Sequence, residues 1–195
     1  GGMIHGLTNS QFDDGKASWP VYETAAKLDV PIYLHPGMPH HEVRNIYYKD
    51  YTEEFALFPQ AAWGYTVETA TMAIRLVLSR VFETIPNLKI ILGHLGETLP
   101  FLLWRVNHNL KRPGNAPIEF REVFCNNFYV TTSGNFSDPA LLCCMQELGV
   151  DRILFAIDWP FIDNKLGTDW FEKLAISKED KIKILSGNSS RIFKL

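Results

Sequence analysis

No apolar run in this chain reaches the roughly 18 residues that a membrane-spanning helix needs. No cluster of Lys or Arg builds the basic footprint of a nucleic-acid binder. The 19 basic and 22 acidic residues leave a formal net charge of −3, so neither nucleic acid nor a membrane surface is an expected partner. Cysteine is scarce. Two of the three are adjacent, Cys143 and Cys144, a spacing that serves neither a disulfide framework nor a paired zinc-finger motif. The opening residues, Gly1-Gly2-Met3-Ile4-His5, carry neither the basic nor the apolar region of a secretory signal. A reducing, cytoplasmic setting is the expectation. There is no internal repeat or low-complexity linker, and 195 residues suit one domain with a real core.

Hydrophobic residues make up 46% of the chain and aromatic ones 13%, with Trp63, Trp104, Trp159 and Trp170 spread through the later part; most of the aromatics are expected in the core. Residues 89–105 read KIILGHLGETLPFLLWR. A short apolar run broken by glycine and followed by helical spacing reads as a buried parallel strand handing over to a helix. The same alternation runs through the chain. Strands are predicted over residues 3–9, 31–34, 89–94, 128–132 and 152–157. Helices are predicted over 19–28, opened by Ser18 and Pro20, over 65–82, and over 99–110. Another runs from Asp138-Pro139, read as an N-cap and first-turn pair, to Gly149. A capping box of Ser177 and Asp180 opens a last helix ending near Ser186. Residues 36–51 are expected as a long polar loop and 112–122 as a connector without a long helix. The order is β-α repeated about five times, which predicts an α/β fold with a parallel sheet and helices outside it.

Ligands of α/β folds gather beyond the carboxyl ends of the strands. Asn9, His35, His94, Ser133 and Asp158 occupy those five ends, in order. A neutral imidazole and a carboxylate suit zinc, manganese or magnesium. His94 can move protons near neutral pH, and Glu97, three residues on, can fix its tautomer and raise its basicity. His40 and His41 read as solvated, His5 and His108 as structural, and Cys143 and Cys144 as small core residues.

Five motifs then carry a resemblance: PIYLHP around His35, WGYTVETA from Trp63, GHLGETLPFLLWR from Gly93, NFYVTTSGNF from Asn127, and ILFAIDWPF ending at Phe161. In these the chain resembles the amidohydrolase-related, metal-dependent aromatic acid decarboxylases, the group containing 2,3-dihydroxybenzoate and γ-resorcylate decarboxylases. The resemblance implies a (β/α)8 barrel, present here as about five C-terminal βα units of a single partial domain. It implies a divalent metal held by His35 and Asp158, with His94, Glu97 and Asp158 handling protons. It further implies that Arg105, Trp159, Phe161 and Asn9 contact a small aromatic carboxylic acid. The family's Glu-x-His pair on its first strand is not at the start of this chain, and Ala156-Ile157 stand where a serine or threonine often precedes the metal aspartate. The expected activity is non-oxidative decarboxylation of a hydroxybenzoate. The alternatives are a lactone or ester hydrolase of the same superfamily, or an inactive fragment. Unpaired strand edges make self-association an expectation.

Overall fold

The computed structural model describes residues 1–116 and 118–195. They gather into two compact units, Gly1–Leu88 and Lys89–Leu195. In the first, β1 (Gly2–His5) and β2 (Ile32–His35) run parallel, Gly2 opposite Ile32 and His5 opposite His35. Parallel neighbours need a crossover, and α1 (Trp19–Lys27) provides it, with Pro20 in the first turn where its missing N–H costs nothing. Tyr22, Ala25 and Ala26 form the buried face of α1, and the Tyr22 hydroxyl donates to the Asp13 carbonyl at 2.7 Å.

β1 stops at His5, four residues before the Asn9 at which the strand was expected to end. β2 runs there into Pro36, which has no N–H for a ladder. Gly6, at φ +49°, turns the chain so tightly onto Gly37 that a Cβ would lie 2.7 Å from the Gly37 Cα. Asn9 and Ser10 then take left-handed conformations in a turn bridged by Thr8 and Gln11.

Residues 36–51 are largely helical rather than a loop, forming α2 (His41–Tyr47) and α3 (Lys49–Thr52). Neither helix buries a residue, so neither leaves an apolar stripe to read. Their anchor is Tyr48, 2% exposed and packed edge-on against Phe58 at 4.9 Å. His40 is more than a solvated residue, since its Nδ1 accepts the Glu42 N–H and caps α2. The helix expected over 65–82 divides into α4 (Gly64–Leu78) and α5 (Val81–Thr84), because Arg80 adopts φ +67° between them.

In the second unit β3 (Ile90–Leu92), β4 (Phe128–Thr131) and β5 (Ile153–Leu154) are parallel, with Ile90 opposite Phe128 and Val130 opposite Ile153. A short turn, α6 (His94–Glu97), follows β3 and leads into α7 (Leu99–Asn109). The predicted connector ends early, because α8 (Phe120–Asn127) begins inside it and stacks Phe120, Phe124 and Phe128 in the core. Asp138 is the first residue of α9 (Asp138–Leu148) rather than its cap, which is Ser137, and its carboxylate accepts from Trp170 Nε1. α10 (Asn164–Lys173) was not foreseen; it buries only Gly167 and Phe171. The Ser177 cap does open α11 (Lys178–Ile182), but the helix runs past Ser186 through a π turn, Lys183–Gly187, into α12 (Asn188–Phe193).

β5 has two residues in its ladder, not the run expected over 152–157. The Phe155 N–H turns to the Ile184 carbonyl, and both backbone groups of Ala156 bond the Thr132 hydroxyl. Among the described residues no strand pairs with the outer edge of β5, as expected of a terminal strand; the π turn and Asn188 cover it instead. That fully buried amide donates to the carbonyls of Val150 and Ile153 at 2.8 and 2.7 Å. Leu95, Val130, Leu141, Cys144, Ile153, Phe171, Leu174 and Ile184 form the core beneath. Among the aromatics, expected mostly inside, Trp63, Trp104 and Trp159 are at the surface, 48, 71 and 70% exposed. Among the described residues no helix is long and apolar enough to cross a membrane.

Replacing Asn188 with Ala leaves the buried carbonyl of Ile153 and the part-buried one of Val150 without this donor. The expected loss is about 2–4 kcal/mol of stability, read as a lowered urea midpoint, whereas an unchanged midpoint would mean the edge is held by the π turn alone.

Candidate active site

In the second unit, three of the candidate residues converge. His94 Nδ1 lies 2.6 Å from Glu97 Oε1, the contact expected of an oriented imidazole, and His94 Nε2 lies 3.8 Å from Asp158 Oδ2. With Glu97 ionised, Nδ1 carries the proton and donates, leaving Nε2 to face Asp158. The Glu97 side chain is fully buried, whereas those of His94 and Asp158 are about a quarter exposed. Burial opposes charge on the His94 ring, but the bond to Glu97 and the charges of Glu97 and Asp158 outweigh it, so His94 holds its proton above the ordinary histidine range.

The turn that makes this contact is left-handed. His94, Leu95, Gly96, Glu97 and Thr98 all have φ between +51° and +79°. Only glycine adopts that region freely; for the other four the cost is on the order of 1–2 kcal/mol each. Leu95, 3% exposed, ties the turn into the core, and its carbonyl accepts from Cys144 Sγ. Gly96 cannot be larger, because a Cβ would lie 2.9 Å from Pro100 and Val130 side-chain atoms. Asp158 is also left-handed, at φ +81°, and its carbonyl accepts the N–H groups of Phe161 and Ile162.

His35 lies in the first unit. Its Nδ1 is 2.8 Å from the Pro36 carbonyl, so the proton belongs there and Nε2 is the free donor atom, the arrangement of a metal-binding histidine. Its ring packs on that of His5 at 4.4 Å. A cavity of about 10 Å³, room for one water, adjoins both His35 and Glu68. Glu68 was missed by sequence reasoning. It is 8% exposed, burial pushes its pKa up, and its Oε1 has no hydrogen-bond partner among the described residues. A carboxylate on the otherwise buried face of α4, beside Thr69 and Met72, was the available signal. Nearby Arg75 is paired with Asp14 at 2.9 Å and lies over Phe12, so its charge is already neutralised.

The remaining candidates are exposed. Asn9 is in an exposed turn, Arg105 is on the exposed side of α7, and Trp159 and Phe161 are 70 and 78% exposed. Among the described residues no three His, Cys, Asp or Glu side chains come together to hold a metal. The imidazole of His35 and the carboxylate of Asp158 are each a ligand type that a divalent ion takes, and a catalytic ion of this kind usually has three protein ligands.

Gly96→Ala should cost roughly 1–3 kcal/mol through overpacking and broaden or abolish the His94–Glu97 contact, as read by imidazole NMR. The raised His94 value also predicts a pH signature. Stabilisation by its pairing is complete below the unfolded histidine value, about 6.5, and fades as pH rises through the higher folded value. Glu97→Gln should therefore destabilise the metal-free protein more at pH 5.5 than at pH 9. An equal loss at both would contradict the pairing.

Known proteins carry the same arrangement of elements. A γ-resorcylate decarboxylase of Polaromonas sp. is 40% identical over the whole of this chain, which covers 63% of that protein. A γ-resorcylate decarboxylase of Rhizobium sp. is 38% identical, with 62% of it covered. The crystal structure of a dihydroxybenzoic acid decarboxylase from Polaromonas sp., with bound manganese and the inhibitor 2-nitroresorcinol, matches 99% of this chain at a TM-score of 0.90; 60% of that chain is covered. A 2,6-dihydroxybenzoate decarboxylase in complex with 2,6-dihydroxybenzoate matches 98% at 0.88, with 61% covered. The chain thus spans about 60% of the length of these relatives and shares their fold over that part. The family model described as Amidohydrolase matches residues 1–195, and the chain belongs to that amidohydrolase family.

Proposed function

We propose that the chain carries the proton-handling part of a metal-dependent, non-oxidative decarboxylase of hydroxybenzoates, of the γ-resorcylate or 2,3-dihydroxybenzoate type. The observation that carries this is the His94–Glu97 contact at 2.6 Å with Asp158 beside the second ring nitrogen, Nε2. Identity of 40% to a γ-resorcylate decarboxylase supports it.

His94, with Nδ1 tied to Glu97, exchanges the proton of the substrate's hydroxyl through Nε2. Asp158, protonated from solvent on its exposed side, delivers that proton to the ring carbon that bears the carboxylate and is left as the carboxylate. The bond from that carbon to the carboxylate then breaks, its electron pair returns to the ring, and carbon dioxide leaves. In the first unit His35 would offer a divalent ion (manganese, zinc or magnesium) its Nε2, and in the second Asp158 would offer its carboxylate; manganese in a related structure supports a metal of this kind. When bound, the ion polarises substrate oxygens as a Lewis acid. Arg105, Trp159, Phe161 and Asn9 complete the reading as substrate contacts, Arg105 for the acidic groups and the two aromatic side chains for the ring. A cytoplasmic setting fits three cysteines that form no disulfide. Self-association fits the exposed Phe101 and Trp104 of α7.

Because two ligands are too few, the 195-residue chain alone is expected to retain well under one metal per chain after gel filtration. It should release no carbon dioxide from 2,3- or 2,6-dihydroxybenzoate. Supplying the N-terminal part of the Polaromonas relative should restore both, and His94→Ala should then lower turnover by at least ~10²–10⁴-fold. Base consumption with lactones, without carbon dioxide, would point to a hydrolase instead. Full metal and clear turnover in the chain alone would contradict the shortage of ligands.

A further inference from the structure

We infer that Ser133, Gly134 and Asn135 are positioning residues for His94, a backbone clamp that sets the ring against Asp158; the catalytic meaning of the clamp rests on the function proposed above. His94 is the first residue of the left-handed turn, and its peptide groups find no ladder partner beyond the end of β3. The tripeptide after β4 takes both. The His94 N–H donates to Ser133 Oγ at 3.3 Å, and the His94 carbonyl accepts from Asn135 Nδ2 at 3.2 Å. Holding the groups on either side of one Cα holds φ and ψ, and so the direction of Cβ. Glu97 then needs to fix only the rotation of the ring.

Gly134, between the two, serves the other half of the geometry. At φ +64° it lies against both side chains: a Cβ there would stand 3.0 Å from His94 Cδ2 and 3.1 Å from Asp158 Oδ2. Its N–H donates to the carbonyl of Ile157, the residue before Asp158, at 3.3 Å. One tripeptide thus grips the backbone after β3 and the backbone after β5, and the 3.8 Å separation of His94 Nε2 and Asp158 Oδ2 is set through it. The tripeptide is itself oriented. Ser133 Oγ shares a 2.7 Å bond with Thr131 Oγ1, and the Asn135 N–H donates to the Thr132 carbonyl. A role confined to capping a loop would require neither the grip on both sides of His94 nor the contact of Gly134 with two reacting groups.

The test reads the ring directly, in the 195-residue chain, before any turnover is needed. With ¹⁵N-labelled histidine, the His94 Nδ1 proton bonded to Glu97 should appear as a low-field resonance, assigned by its loss in Glu97→Gln. Asn135→Ala, Asn135→Asp and Ser133→Ala should each shift or broaden it, while Ser133→Thr, which keeps the hydroxyl, should retain it. Asn135→Asp keeps the shape but exchanges the donor for a charged acceptor, so Asn135→Leu, similar in size, uncharged and without a donor, decides the matter if an alanine variant does not fold. An unchanged resonance in folded Asn135→Leu and Ser133→Ala would overturn the clamp. In protein reconstituted with the N-terminal part of the relative, the same variants should lower kcat by ~10–100-fold with KM within about threefold. A raised KM with kcat unchanged would overturn the positioning role. Absence of turnover in the reconstituted unsubstituted protein would sink the decarboxylase reading alone, since the resonance decides the clamp independently.

Discussion

Five consecutive residues with positive φ, from His94 to Thr98, are the constraint on which the second unit's chemistry depends. Four of them are not glycine, and such a turn would not persist in isolation. Burial of Leu95 contributes roughly 1.5–3 kcal/mol against the strain, and the Gly96 N–H closes a 2.7 Å bond to the Gly93 carbonyl. Cys144, Ser133 and Asn135 satisfy the peptide groups that the turn leaves outside any ladder. The strain is over-determined by its surroundings, the condition under which such conformations survive at reacting sites. What it achieves is directional: one side chain of the turn goes to the core, the next carboxylate is buried, and the imidazole between strand and helix faces Asp158.

Three carboxylates show how environment divides their roles. Glu97 is fully buried but holds an imidazole at 2.6 Å, which makes its charge tolerable and its position fixed. Asp158 keeps about a quarter of its side chain exposed, the access a group needs to meet a ligand. Glu68, in the other unit, is buried with one oxygen unpartnered, so desolvation acts on it without compensation and favours the protonated form. Residue type alone would have ranked the three alike. Their neighbours make one an orienting partner, one an open ligand atom, and one a buried acid beside His35.

Much of this was legible in the chain. The βα alternation, the strand end at His35, the Ser177 cap and the Gly149 stop follow from local patterns, because hydrophobic period and capping chemistry act within a few residues; β3 stops at Leu92, two residues short of the end expected at His94. The His94–Glu97 pair was readable from its spacing. Other features were misread for a common reason. α2 and α3 bury nothing, so they carry no stripe; β1 and β5 are shorter than their apolar runs because a ladder ends where the neighbouring strand stops offering partners. Asn188, Glu68 and the Ser133–Asn135 grip draw their meaning from residues far away in sequence.

By itself, then, the sequence determined the alternation of elements, their caps and the acid–base residue types at the strand ends, all of which local propensity and polarity encode. The handedness of the turn at His94, the closure of the β5 edge by Asn188 and the approach of Asp158 to the imidazole were decided only in the tertiary structure. Each requires a backbone group to find its partner across the fold, and no local preference specifies such a partner.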